Sequence, residues 1–194
     1  MKKIFLILLF FNLSNGHVKS IEPDVFIQST VNRASQALSK NISKEEKIKE
    51  LKIIAKETVD MKGVGLYSLG SLRKNLNNDQ KKKYFELFEN YFLKSFSSRL
   101  AEYTNPQIEV KNQKVLNKNY TIVNSLLLGT SERPEVKIDW RIYTKNSKNP
   151  QIRDLIIEGL SLARTQKEEF SSILNSNDGD INALFKTLEE FSKN

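Results

Sequence analysis

The hydrophobic pattern of the chain has a helical period in its first half and a period of two in the segments that follow, most clearly over residues 136–143. Apolar and polar side chains alternate strictly over the segment 136–143, which is typical of a strand with one buried face. That face would carry Val136, Ile138, Trp140 and Ile142. A polar connection, 144–150, separates this strand from a second apolar run, Asp154–Leu162, so the two runs predict an antiparallel hairpin.

Two further strands are predicted before this hairpin. Ile108 and Val110 alternate with charged residues, and the run Tyr120–Leu128 has Val123 on one of two apolar faces. Polar turns, at Lys118–Asn119 and over 129–134, separate the runs. The second half of the chain therefore predicts a meander of about four antiparallel strands.

Capping residues predict where the first helices begin. Asp24 can start a helix that reaches Leu38, and the segment 43–46 has the sequence of a capping box for a second helix. Gly63 and Gly65 then interrupt the pattern. We expect a short helix after them, with Leu66 and Leu69 among its apolar residues.

The longest predicted helix begins after Asn77, with Gln80 placed to reach back to this cap, and ends near Tyr103. Its apolar side chains recur three and four residues apart: Tyr84, Phe85, Phe88, Tyr91, Phe92, Phe96 and Leu100. This stripe fits an ordinary core face. It also fits the wall of a ligand pocket, because such a wall is a core face with a removable molecule opposite it.

Two helices are predicted after the hairpin, one from a capping box at 165–168 and one from Ile181, following a break at 177–180. Helices followed by strands and then by helices predict an α+β fold, a twisted antiparallel sheet of about four strands covered by N- and C-terminal helices. A twisted sheet under helices encloses an apolar pocket unless large side chains fill it.

Residues 1–20 have the pattern of a secretory signal peptide. Lys2 and Lys3 precede an apolar stretch of eight residues, 4–11, whereas a membrane span needs about 20. Cleavage after Gly16 or after Ser20 fits the small-residue rule equally well. We therefore expect a signal peptide over 1–20 and a single domain over 21–194; a retained anchor is the alternative.

The chain has a formal net charge of +8, which falls to about +5 if Lys2, Lys3 and Lys19 leave with the signal peptide. A mildly basic exported chain is expected to meet anionic lipid or an acidic partner surface, and no nucleic acid. There is no cysteine and one histidine, His17, at the end of the signal. No cofactor or metal is therefore expected, and the usual nucleophile–base pairs cannot be assembled.

The carboxylates on the hairpin make an enzymatic function an alternative. A small sheet-and-helix enzyme would use Asp139 or Asp154 in an apolar pocket. Against this, Asp139 lies on the strand face opposite Trp140, and Asp154 can pair with an arginine such as Arg141. A structural adaptor, whose apolar face is simply a filled core, is the other alternative.

Two segments of the hairpin resemble the signature of the MlaC family, which consists of periplasmic phospholipid carriers. Val136–Arg141 is similar to the family pattern v-x-v-x-W-r, and Asp154–Leu162 to D-v-x-x-E-G-v-S-l, with Phe170 beyond. Upstream, Val59–Asp60 and Leu69–Gly70 resemble the helical half of the family in the same order. The similarity extends over most of the chain after the signal.

This resemblance implies a deep apolar pocket for phospholipid acyl chains and no catalysis. It implies a periplasmic carrier that moves glycerophospholipid between the outer and inner membranes and so maintains outer-membrane lipid asymmetry. The implied partners are phospholipid, an inner-membrane MCE-domain subunit of an ABC transporter and an outer-membrane lipoprotein–porin complex. The lipid-binding residues are then expected on the aromatic helix, the short helix before it and the sheet: Leu66, Leu69, Phe85, Phe88, Phe92, Phe96, Val110, Val123, Val136, Ile138, Trp140, Ile142, Ile156 and Leu160.

Overall fold

In the computed structural model, residues 20–193 are described, so nearly all of the expected signal peptide lies outside the described residues. The elements follow one another as α1 (Pro23–Ser39), α2 (Lys44–Thr58), α3 (Met61–Ser68), a 3-10 helix (Gly70–Lys74), α4 (Asn78–Leu100), β1 (Ile108–Asn117), β2 (Tyr120–Leu127), β3 (Val136–Tyr143), β4 (Gln151–Ile157), β5 (Leu160–Ser161), α5 (Leu162–Asn175) and α6 (Ile181–Lys193). Within this range, no helix is both long enough and apolar enough to cross a bilayer.

The five strands form one antiparallel sheet in the order β1-β2-β3-β4-β5. The predicted α+β class and meander are confirmed, with one short strand more than expected. In the register, Val123 of β2 lies opposite Trp140 of β3, and Trp140 lies opposite Leu155 of β4. These residues belong to the face that the helices cover, here called the inner face; the opposite face is the outer face.

The predicted second strand of the hairpin, Asp154–Leu162, does not continue beyond Ile157. Glu158 and Gly159 adopt left-handed backbone conformations, with φ of 49° and 83°, and turn the chain into β5. Ser161 then caps α5, because its Oγ accepts a hydrogen bond from the amide of Arg164 at 3.1 Å. The helix therefore begins at Leu162, and the capping box predicted at 165–168 lies inside it.

The predicted cap of α1 at Asp24 is wrong, because that helix begins at Pro23 with Glu22 at its N-cap and no side-chain cap. The caps of α2 and α4 are as predicted. Ser43 and Glu46 exchange the two hydrogen bonds of a capping box at the start of α2, and Asn77 and Gln80 do so at the start of α4. Gly63 lies within α3 and does not precede it, which corrects the predicted start of that helix. Helix α1 packs on β1 and β2, α3 and α5 pack on β4, and α4 packs among α2, α3 and α6.

Asp60 and Arg153 join the helices to the sheet. The amide of Asp60 donates to the carbonyl of Ile152 at 2.9 Å, and its carboxylate caps α3 by accepting from the amide of Gly63 at 2.8 Å. Arg153 Nε donates to Asp60 Oδ2 at 2.7 Å, and its guanidinium lies 3.6 Å from the ring centroid of Tyr143. The start of α3 is thereby fixed against β4.

This junction leaves no room for a side chain at Gly63. A Cβ there would lie 2.4 Å from Asp60 Oδ2 and 2.7 Å from Arg153 Nε. Alanine within a helix is usually about 0.5–1 kcal/mol more stabilising than glycine. We expect Gly63→Ala to do the opposite and lower the free energy of unfolding in urea by about 1–3 kcal/mol. Asn90→Ala, at an exposed position of α4, is the control and should stay within about 0.5 kcal/mol of the wild type; a Gly63→Ala variant more stable than the wild type would contradict this account.

Candidate functional site

Six of the expected lipid-binding residues lie together on the inner face. They are Val110, Val123, Val136, Ile138, Trp140 and Ile142. In the middle of the face, Val123 and Ile142 are 0% exposed. Val110 and Val136, nearer one end of the sheet, are half-buried. The inner face is therefore sealed at its centre and partly open at its edge.

The helices bring aromatic side chains to the same interior. Leu69 and Phe88 are buried, and Phe85, Phe92 and Phe96 are half-buried and pack against the buried residues. Together with the inner face they form one continuous set of packed apolar side chains, called here the apolar cluster. Most of the expected residues are thus brought together, although Leu66, half-buried on α3, is not among the residues of this cluster.

Ile156 and Leu160 are wrongly placed by the sequence prediction. Ile156 lies opposite Asp139 in the register, on the outer face, whereas its neighbour Leu155 lies opposite Trp140 and packs against the apolar cluster. Leu160 is 59% exposed on the two-residue strand β5. The cause is the side-chain alternation of β4, which puts the odd-numbered Leu155 on the inner face.

The sequence reading missed two buried hydroxyl residues on the inner face, Thr121 and Ser125. Ser125 Oγ accepts a hydrogen bond from Trp140 Nε1 at 2.8 Å and donates to the carbonyl of Ile138 at 3.1 Å. This pair fixes the indole ring against β2. The alternation of β2 is the signal that would have found them, because Thr121 and Ser125 share the face of Val123.

The contact between β3 and the helices is made by side chains. The close backbone neighbours of β3 are β2 and β4, and those of α4 are other helices. Two concavities of the described chain lie away from the apolar cluster: one of about 640 Å³ runs along α5 beside Tyr67, and one of about 430 Å³ lies on the outer face beside Asp139. The apolar cluster joins side chains of β3 to side chains of α4.

The carboxylates of the hairpin lie outside the apolar cluster. Asp154 is buried beneath the first turn of α5, where it accepts from Ser161 Oγ at 2.7 Å, from the amide of Ala163 at 3.0 Å and from Arg141 at 3.1 Å. Asp139 accepts from Asn124 Nδ2 at 2.6 Å on the outer face. The enzyme alternative needed one of these acids in the apolar interior, and neither is there. Among residues 20–193, no three His, Cys, Asp or Glu side chains are grouped as metal ligands.

Tyr84 connects α4 to α3 within the interior. Its hydroxyl donates to the carbonyl of Gly65 at 2.9 Å, and its ring stacks on Phe88 with centroids 5.7 Å apart. Burial raises the pKa of the Tyr84 hydroxyl well above its usual value. The residue is therefore a neutral hydrogen-bond donor that holds the aromatic side of α4 in place.

Comparisons with known proteins bear on the family and on the fold. A family model described as MlaC protein matches residues 28–190. The intermembrane phospholipid transport system binding protein MlaC of Haemophilus influenzae is 24% identical over 187 residues, which cover 90% of this chain and 87% of that protein. A phospholipid-binding protein of Ralstonia solanacearum, solved in complex with a phospholipid, has the same fold with a TM-score of 0.74 and 16% identity, over 89% of this chain and 98% of that one.

The environment of Tyr84 predicts how stability depends on pH. Above about pH 10 the unfolded chain releases the tyrosine proton and the folded chain keeps it, so the free energy of unfolding falls by about 1.4 kcal/mol per pH unit. Tyr84→Phe should cost about 1 kcal/mol at neutral pH, through the lost hydrogen bond, and should remove this component of the alkaline slope. Urea unfolding at several pH values measures both effects.

Ser68→Ala is the matched control for Tyr84→Phe. Ser68 is buried and donates to the carbonyl of Val64 at 3.0 Å, so its replacement removes a hydrogen bond without removing an ionisable group. Its stability cost should not change with pH. An unchanged alkaline slope in Tyr84→Phe would show that the tyrosine ionises in the folded protein.

Proposed function

Because this chain belongs to the MlaC family, we propose that it is a periplasmic carrier that binds a glycerophospholipid and moves it between the outer and inner membranes. The acyl chains lie between the inner face and the aromatic side of α4, and the head group stays in water. The observation that carries this proposal is the single apolar cluster that joins Trp140 and Ile138 of the sheet to Phe88 of α4. The phospholipid bound by the Ralstonia solanacearum protein of the same fold supports the choice of ligand.

The energetic requirement points to the same place. A methylene removed from a bilayer loses about 0.8 kcal/mol of apolar burial, so a sixteen-carbon chain needs roughly 13 kcal/mol of new apolar contact. On the outer face Ile122 and Leu126 are interspersed with Lys137 and Asp139, which would be desolvated by an acyl chain. The apolar cluster carries no such charge.

The half-buried members of the cluster are the proposed point of insertion. Leu127 and Val136 face each other across β2 and β3 at one end of the inner face, and both are partly exposed. An acyl chain that enters beside them replaces contacts between protein side chains with contacts between those side chains and the lipid. The hydrogen bond between Trp140 and Ser125 holds the indole in place while neighbouring side chains move.

A structural adaptor is the second candidate function. The nearly complete burial of Val123, Ile142 and Phe88 favours it, because a filled core needs no ligand. The two functions differ in one measurable property, the uptake of phospholipid.

For the carrier function, we propose two protein partners, which the family implies: an inner-membrane MCE-domain subunit of an ABC transporter and an outer-membrane lipoprotein–porin complex. Both require the protein to reach the periplasm. The proposed route is export through a cleavable signal peptide over residues 1–20, followed by a single lipid-binding domain over 21–194.

Export predicts a specific N-terminus. Protein isolated from the periplasm should begin at His17 or at Ile21, as read by N-terminal sequencing and intact mass, because small residues precede both positions. A mature protein that still begins at Met1 would show that the apolar stretch is a retained anchor.

Lipid uptake can be tested with two neighbouring leucines on opposite faces of β2. Leu127 packs against the apolar cluster and Leu126 lies on the outer face opposite Lys137. We expect Leu127→Glu to reduce the lipid-loaded fraction in native mass spectra by at least about tenfold, because burying a carboxylate in apolar surroundings costs several kcal/mol. Leu126→Glu should load like the wild type, since its carboxylate stays in water near a lysine.

Both variants are first checked for a cooperative unfolding transition. Phospholipid in the wild type and in Leu126→Glu, with its loss in Leu127→Glu, would support the carrier. Wild-type protein that carries no phospholipid after incubation with vesicles would favour the adaptor. Equal loading of all three proteins would place the lipid away from the inner face.

A further inference from the structure

The positive charge of the protein is concentrated in one short segment. From residue 20 onward the chain has 28 Lys and Arg and 23 Asp and Glu. Residues 61–83 hold six of the cations and a single acid, Asp79, while the rest of the chain from residue 20 holds 22 of each sign. The whole net charge of this part of the protein therefore comes from α3, the 3-10 helix and the first turns of α4.

Four of these cations lie within residues 73–82, and a fifth, Lys62, lies over an aromatic ring of α4 that follows them closely in sequence. Lys62 Nζ lies 6.0 Å from the ring centroid of Phe85. Lys81 and Lys82 precede Phe85 by four and three residues, on the same side of α4. The remaining two, Arg73 and Lys74, end the 3-10 helix that leads into α4. Lys62, Arg73, Lys74, Lys81 and Lys82 are called here the basic end.

The charges of the basic end are not neutralised by carboxylates within the described part of the chain. Among residues 20–193, none of the five cations lies within 4.0 Å of a carboxylate. The sixth cation of the segment, Lys83, differs because it pairs with Glu189 of α6 at 3.1 Å. Four of the five basic-end side chains are exposed, and Lys81 is half-buried. These charges remain available to an external partner.

From these observations we propose that the basic end is a docking surface for an anionic lipid bilayer. Four of its five cations are lysines, which are depleted in protein–protein interfaces. Flexible lysines without fixed partners instead suit a fluid surface of anionic head groups, which attracts each cation independently of its orientation. Tyr67, 42% exposed beside the 3-10 helix, adds a ring of the kind that lies at membrane–water interfaces.

Docking here goes beyond the carriage of a lipid molecule, because it concerns the surface of a whole membrane. It would hold the protein near the bilayer by electrostatic attraction that weakens as salt rises. Each cation near an anionic bilayer strengthens partitioning by about fivefold. The affinity is therefore expected to depend on several cations together and on no single one.

The test uses the mature wild-type protein and two variants of equal net charge. One replaces the basic end: Arg73→Gln, Lys74→Gln, Lys81→Gln and Lys82→Gln. The control removes four exposed cations of β1 and of the sheet loops: Lys114→Gln, Lys118→Gln, Lys145→Gln and Lys148→Gln. Co-sedimentation is measured with vesicles of phosphatidylcholine containing phosphatidylglycerol, with vesicles of phosphatidylcholine alone, and at increasing salt.

We expect the wild type and the control to bind only the vesicles with phosphatidylglycerol, less strongly as salt rises, and the basic-end variant to bind at least about a hundredfold more weakly. Equal weakening in both variants would overturn the proposal, because net charge alone would then explain binding. Absence of wild-type binding to either vesicle would also overturn it and would favour an acidic protein surface as the partner.

Lipid loading, measured by native mass spectrometry after incubation with detergent-solubilised phospholipid, separates this inference from the carrier function. The basic-end variant should load like the wild type, because its substitutions lie outside the apolar cluster. A wild type that loads lipid and ignores anionic vesicles would refute the docking surface alone. A wild type that docks without ever loading lipid would refute the carrier alone.

Discussion

The register between β3 and β4 decides which side chains the helices cover. Trp140 lies opposite Leu155, so a slip of one residue would bring Ile156 to the inner face and turn Leu155 outward. An irregularity after Arg141 lets Ile142 pair with Ile152, so that Arg153 stands apart from the ladder and reaches Asp60. One bulged residue thus keeps both ends of β4 apolar on the inner face and joins the sheet to α3.

The inner face was predictable on β3 and was not on β4. Every second residue of β3 from Val136 is apolar, and the structure places them all on one face. In β4 the three consecutive residues Leu155–Ile157 are all apolar, so alternation within this run cannot choose a face. Asp154 makes the choice, since its carboxylate is held outside the apolar cluster by Ser161 and the first turn of α5. Ile156 lies two residues after Asp154 and therefore on the same face of the strand. This spacing was the available signal for the outward position of Ile156.

The starts of some helices are determined by neighbouring residues, and the start of another is determined by a tertiary contact. The capping boxes of α2 and α4 are built from residues three apart, at Ser43 and at Asn77, and the sequence therefore suffices to predict them. At the start of α5, the amide of Ala163 is satisfied by Asp154, nine residues away on a strand. Residues 165–168 also have the sequence of a capping box, but the position of Asp154 on β4 determines that the turn at Ser161 is the one that is capped. Long-range hydrogen bonds of this kind are invisible to a reading of neighbouring residues.

In the proposed carrier, lipid binding and folding would compete for the same apolar side chains. Val123 and Ile142 already make close contacts over their whole surface, so an acyl chain gains only the difference between its own contacts and the side-chain contacts it displaces. Half-buried residues such as Leu127 and Phe96 make fewer contacts with other side chains, so an acyl chain would displace fewer contacts and cover more exposed apolar surface there. The edge of the cluster is therefore where insertion of the proposed acyl chain would be least costly, and the buried centre would limit how deeply the chain could enter. A carrier must also release its lipid, and a site whose own side chains refill the space lowers the cost of release.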